Sequence, residues 1–392
     1  MKEEFSVKRF GYVLIAFLAI SSPAWAAKKI TVQQLKDMLV SLQAAKKDDG
    51  DVAAELKQVE LSEELTRGAM NSLVSLVPGP YSTEQIYVLE AKSALLPPPA
   101  SDLPTAPAPD AAAQKAILDK ASDYATKTYA QLPHLTATKT TARFEDNQNV
   151  IKASSGMHSS GSTDDPNLVM SAQFVHYINS TDAPAELVNG AEMVSTAKDK
   201  TPWGSNGHIV MLGQVPVLSS VLQEAQAAGK IAWLRWEMVN GKQAAVFSFS
   251  VDKKKTHYAV NYCCFPDLDQ TGRMSYSSPS QGNMNPVAKG NMQTTTDWHP
   301  FKSAVPYHGE IFVDPDTGIV VRLDTQAEFK TSDVVHQEDQ RIDYLPVTVG
   351  GKALVLPVKS VVNTEVVPNG DSGAGKYSTR HTLFTAEYKD YK

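Results

Sequence analysis

Residues 370–376, Gly-Asp-Ser-Gly-Ala-Gly-Lys, carry the glycine and lysine spacing of a phosphate-binding loop. That chemistry needs a Ser or Thr after the lysine to hold magnesium, and a helix whose N-terminus faces the phosphates. Here Tyr377 follows, and Ser378 to Tyr388 reads as a strand, so the stretch is expected to be a flexible hairpin loop. Its Gly-Asp-Ser-Gly also matches the surroundings of a nucleophilic serine. No early histidine beside a cysteine accompanies it, so Ser372 is given no catalytic role. His299 and His308, with Asp297, form the densest of the scattered histidine groups, but their spacing matches no metal-ligand motif. No metal and no cofactor are assigned. Cys263 and Cys264 are the only two cysteines, and they are adjacent. An oxidising compartment permits a vicinal disulfide, although neighbouring α-carbons sit ~3.8 Å apart, below the usual ~4.4–6.8 Å. The alternative is two thiols on opposite faces of a strand end.

Aromatic residues supply a second kind of chemistry, the burial of an apolar ligand. Simple alternation puts Trp233 and Arg235 on one side of their strand, and Leu234, Trp236 and Met238 on the other. Trp233, Trp236, Met238, Phe247 and Phe249 are therefore the candidate ligand-lining residues. A plain core would use the same residue types.

These side chains need a sheet to hold them. Ile231 to Val239, the Asn240-Gly241 turn and Ala244 to Val251 form the strongest hairpin pattern in the chain. Tyr307 to Leu323 is another: Asp314 and Pro315 suit a type I turn, and Gly318 suits the left-handed position that follows. Further strands are expected at Leu135 to Phe144, Leu168 to Ile178, Val188 to Ser195, Tyr258 to Phe265, Arg341 to Val349, Ala353 to Val367 and Ser378 to Tyr388. Helices are expected over Asp110 to Gln131, with Ile117, Ala121, Tyr124 and Thr128 inward, and over Val215 to Ala228.

Before this sheet lie four short amphipathic helices between Ile30 and Leu96, read from starts at Thr31, Asp51, Ser62 and Ser82. They form a module that either docks on the sheet or offers a groove to a partner in the cell envelope. Six prolines between Pro97 and Pro109 mark an extended linker. The first residues read as an export signal: a basic flank at Lys8 and Arg9, an apolar run from Gly11 to Ile20, and Ala24-Trp25-Ala26 as a cleavage site. The expected division is thus 1–26 signal peptide, 27–96 helical domain, 97–109 linker and 110–392 antiparallel sheet with covering helices, an α+β chain. The mature chain has no expected transmembrane segment, and its location is periplasmic or secreted. With 37 basic against 43 acidic residues, no basic surplus exists to bind nucleic acid.

The order Tyr258–Cys263, residues 309–318 (Gly-Glu-Ile-Phe-Val-Asp-Pro-Asp-Thr-Gly), then 344–347 (Tyr-Leu-Pro-Val) and 354–357 (Leu-Val-Leu-Pro) resembles the outer-membrane lipoprotein-sorting, LolA-like superfamily. The resemblance implies a curved β half-barrel that holds an acyl chain or other apolar ligand. It places no family ligand-contact residue here. The function expected is that of an exported, soluble binding protein for an apolar, lipid-like ligand. An envelope scaffold acting through the helices is the alternative, and an unrecognised secreted hydrolase a third reading.

Overall fold

The computed structural model describes residues 28–145, 175–193, 209–211, 218–228, 230–262, 301–333, 335–366 and 380–392. The export signal, Cys263 and Cys264, His299 and the 370–376 loop lie outside them.

The N-terminal module begins with β1 (Lys28–Ile30), α1 (Val32–Ala44), α2 (Asp49–Lys57) and β2 (Val59–Leu61), followed by α3 (Arg67–Val74) and α4 (Pro80–Ser93). β1 and β2 pair in parallel, and Leu35, Leu39, Leu56, Leu65, Leu73 and Ile86 fill the core between the helices. The capping box at Thr31 and Gln34 forms as expected. Three other starts differ. α2 is capped by Asp48, which accepts from the Asp51 N–H, and α3 by Thr66. α4 starts two residues before Ser82, because Pro80 has the φ that a first helical position needs. Its cap comes from another helix: the Asp49 carboxylate accepts from Tyr81 N, Ser82 N and Ser82 Oγ at 3.0, 2.8 and 2.5 Å. A Cβ on Gly79 would stand 2.5 Å from Asp49 Oδ2, so only glycine lets that carboxylate approach.

The chain then passes through α5 (Ala111–Asp123) into β3 (Leu135–Glu145), β4 (His176–Val188), β5 (Ala191–Glu192), β6 (Ile209–Met211) and α6 (Leu218–Ala228). β7 (Ile231–Val239), β8 (Lys242–Val251), β9 (Ala259–Tyr262), β10 (Phe301–Ala304), β11 (Tyr307–Val313) and β12 (Val320–Ala327) follow. β13 (Val335–Val349), β14 (Lys352–Val366) and β15 (Arg380–Lys389) complete it. Ten strands form one open antiparallel sheet in the order β5-β4-β3-β15-β14-β13-β12-β11-β8-β7, and β10-β9-β6 form a small second sheet. Of the strand expected over 168–178, residues 168–174 lie outside the described residues and 176–178 open β4, which runs on to Val188; the described part of the strand expected over 188–195 holds the end of β4 and β5. β4 turns at Asn189 and Gly190, both at positive φ, into the two-residue β5.

Alternation gives this sheet two buried faces. On one, called the inner face here, α5 and α6 cover Leu135, Leu187, Phe247, Ile311, Leu323, Ile342 and Tyr344. Ile117 and Ala121 lie inward as expected, Tyr124 packs half-buried against the same core, and the fully buried stripe continues through Ala125 and Tyr129 while Thr128 is exposed. A π-helical turn over Tyr124–Thr128 winds wider than an α-helix and carries the stripe forward by one residue. On the outer face, Val88, Ala91 and Ala94 of the α4 segment pack against Phe144, Val361 and Leu383. The helical module therefore docks on the sheet. The proline-rich stretch between the two helix layers is mostly exposed and, unlike the extended linker expected, is interrupted by a 3-10 turn at Ala100–Asp102. It is tied to edge strand β7, where Trp236 Nε1 donates to the Pro107 carbonyl at 2.9 Å.

The β11–β12 turn locks α5 in place. Asp314 Oδ1 accepts from Asp316 N and Thr317 N, both at 3.0 Å, and the Lys120 ammonium donates to the carbonyls of Pro315 and Asp316. Gly318 sits at φ +77, and a Cβ there would lie 2.5 Å from Lys120 Cβ. Gly318→Ala combines a strained φ with overpacking against α5, so it should destabilise the fold by about 2–3 kcal/mol. Urea unfolding of the variant against the parent measures this.

Candidate functional site

The expected ligand-lining residues are brought together, with one correction to their facing. A bulge between Trp233 and Arg235 leaves Leu234 unpaired and exposed, so Trp233 and Trp236 share the inner face, while Arg235 turns outward. Trp233 meets Trp236 at 4.8 Å between ring centroids and Phe247 at 5.6 Å, both edge to face. Phe247 and Phe249 are fully enclosed in the core beneath α5 and α6. Met238 is half-buried further along β7. These rings contact each other, the core and the proline stretch.

Farther along the inner face the buried residues turn polar. Glu338 on β13 is wholly buried; its Oε2 accepts from the Tyr258 hydroxyl at 2.7 Å, and among the described residues its Oε1 has no hydrogen-bond partner. Burial pushes the Glu338 carboxyl up to about 8, against the pull of the Tyr258 bond, and the neighbouring Asp339 charge adds to the rise. Tyr258 stacks on Tyr307 at 5.0 Å, and the Tyr307 hydroxyl donates to Glu224 Oε2 on α6 at 2.8 Å. Glu224 Oε1 also accepts from the His257 N–H at 3.1 Å and lies 2.7 Å from its Nδ1. The His257 side chain is otherwise almost fully exposed. Among the described residues, no group of three or more His, Cys, Asp or Glu side chains is placed to hold a metal.

The outer face carries a buried cluster of charges that joins the module to the sheet. Arg341 donates to both oxygens of Asp324, from Nε at 2.8 Å and Nη2 at 2.6 Å. Its Nη1 lies 2.7 Å from Glu64 Oε1 of the module, off the hydrogen-bond direction. Arg322 reaches Asp343 at 2.7 Å and Glu64 at 3.3 Å; Arg235 forks onto Glu237 and Glu310. Burial raises the Asp324 and Glu237 carboxyls, whereas Arg322 and Arg341 hold Asp343 below its ordinary value despite its burial. None of this cluster was identified from sequence. The available signal was charge at alternate positions, Arg322 and Asp324 on β12 and Arg341 and Asp343 on β13. Alternation shows that such residues share a face, not that the face is covered.

The module also has an open groove of about 270 Å³ between α1, α2 and the turn after α3. Leu39, Leu42, Val52, Leu76, Val77 and Pro78 line it, with Gln43, Lys46 and Lys47 at the rim. Lys46 holds a left-handed φ of +52 after α1, and Lys47 is paired with Asp51 at 3.0 Å. Among the described residues, no acidic side chain pairs with Lys46.

Comparison of the chain with family models, with curated proteins and with solved structures found no match. No helix among the described residues is long and apolar enough to cross a membrane.

Trp236 both completes the aromatic wedge and fixes the proline stretch. Trp236→Phe keeps most of the wedge and removes the bond to Pro107, a loss of about 1 kcal/mol. Limited proteolysis should then cut the variant faster within 97–109 than the parent, with the sheet intact.

Proposed function

We propose that this protein is a non-catalytic binding protein of the cell envelope, and that its helical module takes up the apolar end of an anionic, acyl-like ligand. The groove supports this reading: six apolar side chains line an open volume of about 270 Å³, and at its rim stands Lys46, with no acidic partner among the described residues. Such a volume lies just below the ~300–1,000 Å³ of small-molecule sites, enough for part of a chain whose acidic end meets an ammonium. On the inner face of the sheet, by contrast, Phe247 and Phe249 are already enclosed by α5 and α6. The LolA-like half-barrel belongs to the same proposal; the open antiparallel sheet with helices against one face supports it. In this reading the sheet serves as the platform for the helical module.

Titration with a pyrene-labelled dodecanoic acid tests it. Saturable binding is expected, weakened at least about tenfold by Leu42→Asp or Leu76→Asp, a loss of ~1.4 kcal/mol or more. Lys46→Gln should weaken the acid but not its uncharged methyl ester, and Trp236→Phe should change neither. Absence of saturable binding, or loss in Trp236→Phe with none in Leu42→Asp, would refute the proposal. In the first case, if an envelope protein cross-links to the groove, the scaffold reading replaces it.

A further inference from the structure

The small sheet of β6, β9 and β10 rests on the end of the main sheet through an apolar patch and one buried acid. Val260 and Val305 pack on Val335, with Tyr258, Phe301, Ala327 and Phe329 around them. Within that contact the Tyr258 hydroxyl, one residue before β9, reaches across to Glu338 of β13. Thr325 of β12 and Thr364 of β14 are the hydroxyl-bearing neighbours on the Glu338 face. The Thr325 hydroxyl is buried beside that of Tyr258, and that of Thr364 donates to the Thr382 carbonyl at 3.1 Å. The charged neighbours Asp339, Glu365, His381 and His308 sit at register positions of the opposite face. Among the described residues, Tyr258 and Asp339 are thus the titratable groups that act on Glu338, and no cation does so.

We infer that the Tyr258–Glu338 contact is a proton-controlled latch, closed while the buried acid is neutral and released when it ionises, so that the small sheet loosens from the main sheet. The physical reason is the bare Oε1. A neutral carboxyl tolerates burial there, whereas a carboxylate in the same place has a full charge with no donor on one oxygen, a state that only entering water relieves.

The sign follows from linkage. Closed, the group titrates near 8; open to water, it returns to an ordinary carboxyl value near 4.5. Closure is fully supported below the lower value and is lost as pH rises through the upper one.

Hydrogen exchange, corrected for the intrinsic pH dependence of amide exchange, reads this directly. Protection over 259–262 and 301–304 should fall by up to about tenfold per pH unit between roughly pH 5 and 8, then level off. Amides of β11 and β12 should keep their protection across the same range. Glu338→Gln, which keeps the shape and removes the titration, should hold the small sheet protected at every pH. In the parent protein, the infrared band of a protonated carboxyl should disappear over the pH range in which protection is lost. An unchanged pH dependence in Glu338→Gln, or a parent whose protection does not fall with pH, would overturn the latch. So would a carboxyl band that titrates elsewhere, a readout that stands even if the variant fails to fold.

Discussion

Charge burial on the outer face of the ten-stranded sheet is the constraint on which the rest of this structure depends. Three guanidinium groups, of Arg235, Arg322 and Arg341, face five carboxylates, of Glu64, Glu237, Glu310, Asp324 and Asp343. Each ion is costly to take out of water, and only good geometry with opposite charges offsets that cost. Glu64 belongs to the helical module and the others to the sheet. The sheet guanidiniums hold carboxylates of their own, so it is the buried Glu64 that meets opposite charge only when the module sits against Arg322 and Arg341. An apolar patch such as that of Val88, Ala91 and Ala94 against Val361 and Leu383 favours contact. The ion cluster fixes the register of that contact.

Much else follows from this placement. With the module fixed on one face and α5 and α6 on the other, the chain between them must pass from one layer to the other. The proline-rich stretch makes that crossing along β7, with a 3-10 turn at Ala100–Asp102 and a hold at Trp236. Docking also decides which side of the module is spent. α4 faces the sheet, while the groove between α1, α2 and the turn after α3 stays open. Because the aromatic side chains of the sheet's inner face are packed under helices, the open apolar volume on the module becomes the place where a ligand is proposed to bind.

Architecture was legible in the chain wherever local rules decide it. Asn240-Gly241 turns as its type demands, Asp314 and Gly318 make the expected turn, and the Thr31–Gln34 box starts its helix. Some misreadings come from a partner distant in sequence, others from a local irregularity of the backbone. Ser82 looked like a cap, but Asp49 of another helix performs that role and Ser82 is its donor. Alternation along β7 failed at one bulge, which no residue in 231–239 announces. The π-turn at Tyr124 likewise moved a helix stripe by one position. Least legible was the ion cluster: Glu64 and Arg322 stand 258 positions apart, and each by itself reads as a solvated charge. The groove was equally hidden, because Leu42 lies on a helix stripe of the kind that normally becomes core, and Leu76 reads as the end of another although α3 stops at Val74.

The dependence of the whole on the Glu64–Arg341 contact can be measured by a double-mutant cycle, with Glu64→Gln, Arg341→Met and the pair compared by urea unfolding. If the cluster fixes the module on the sheet, Arg341→Met leaves the buried Asp324 without its partner and should cost about 3–5 kcal/mol, and Glu64→Gln, which leaves Arg341 its Asp324 pair, about 1.5–3 kcal/mol. The pair should then cost less than the sum by roughly 1–3 kcal/mol. Additive single effects below about 0.5 kcal/mol each, as at a solvated surface pair, would contradict the account.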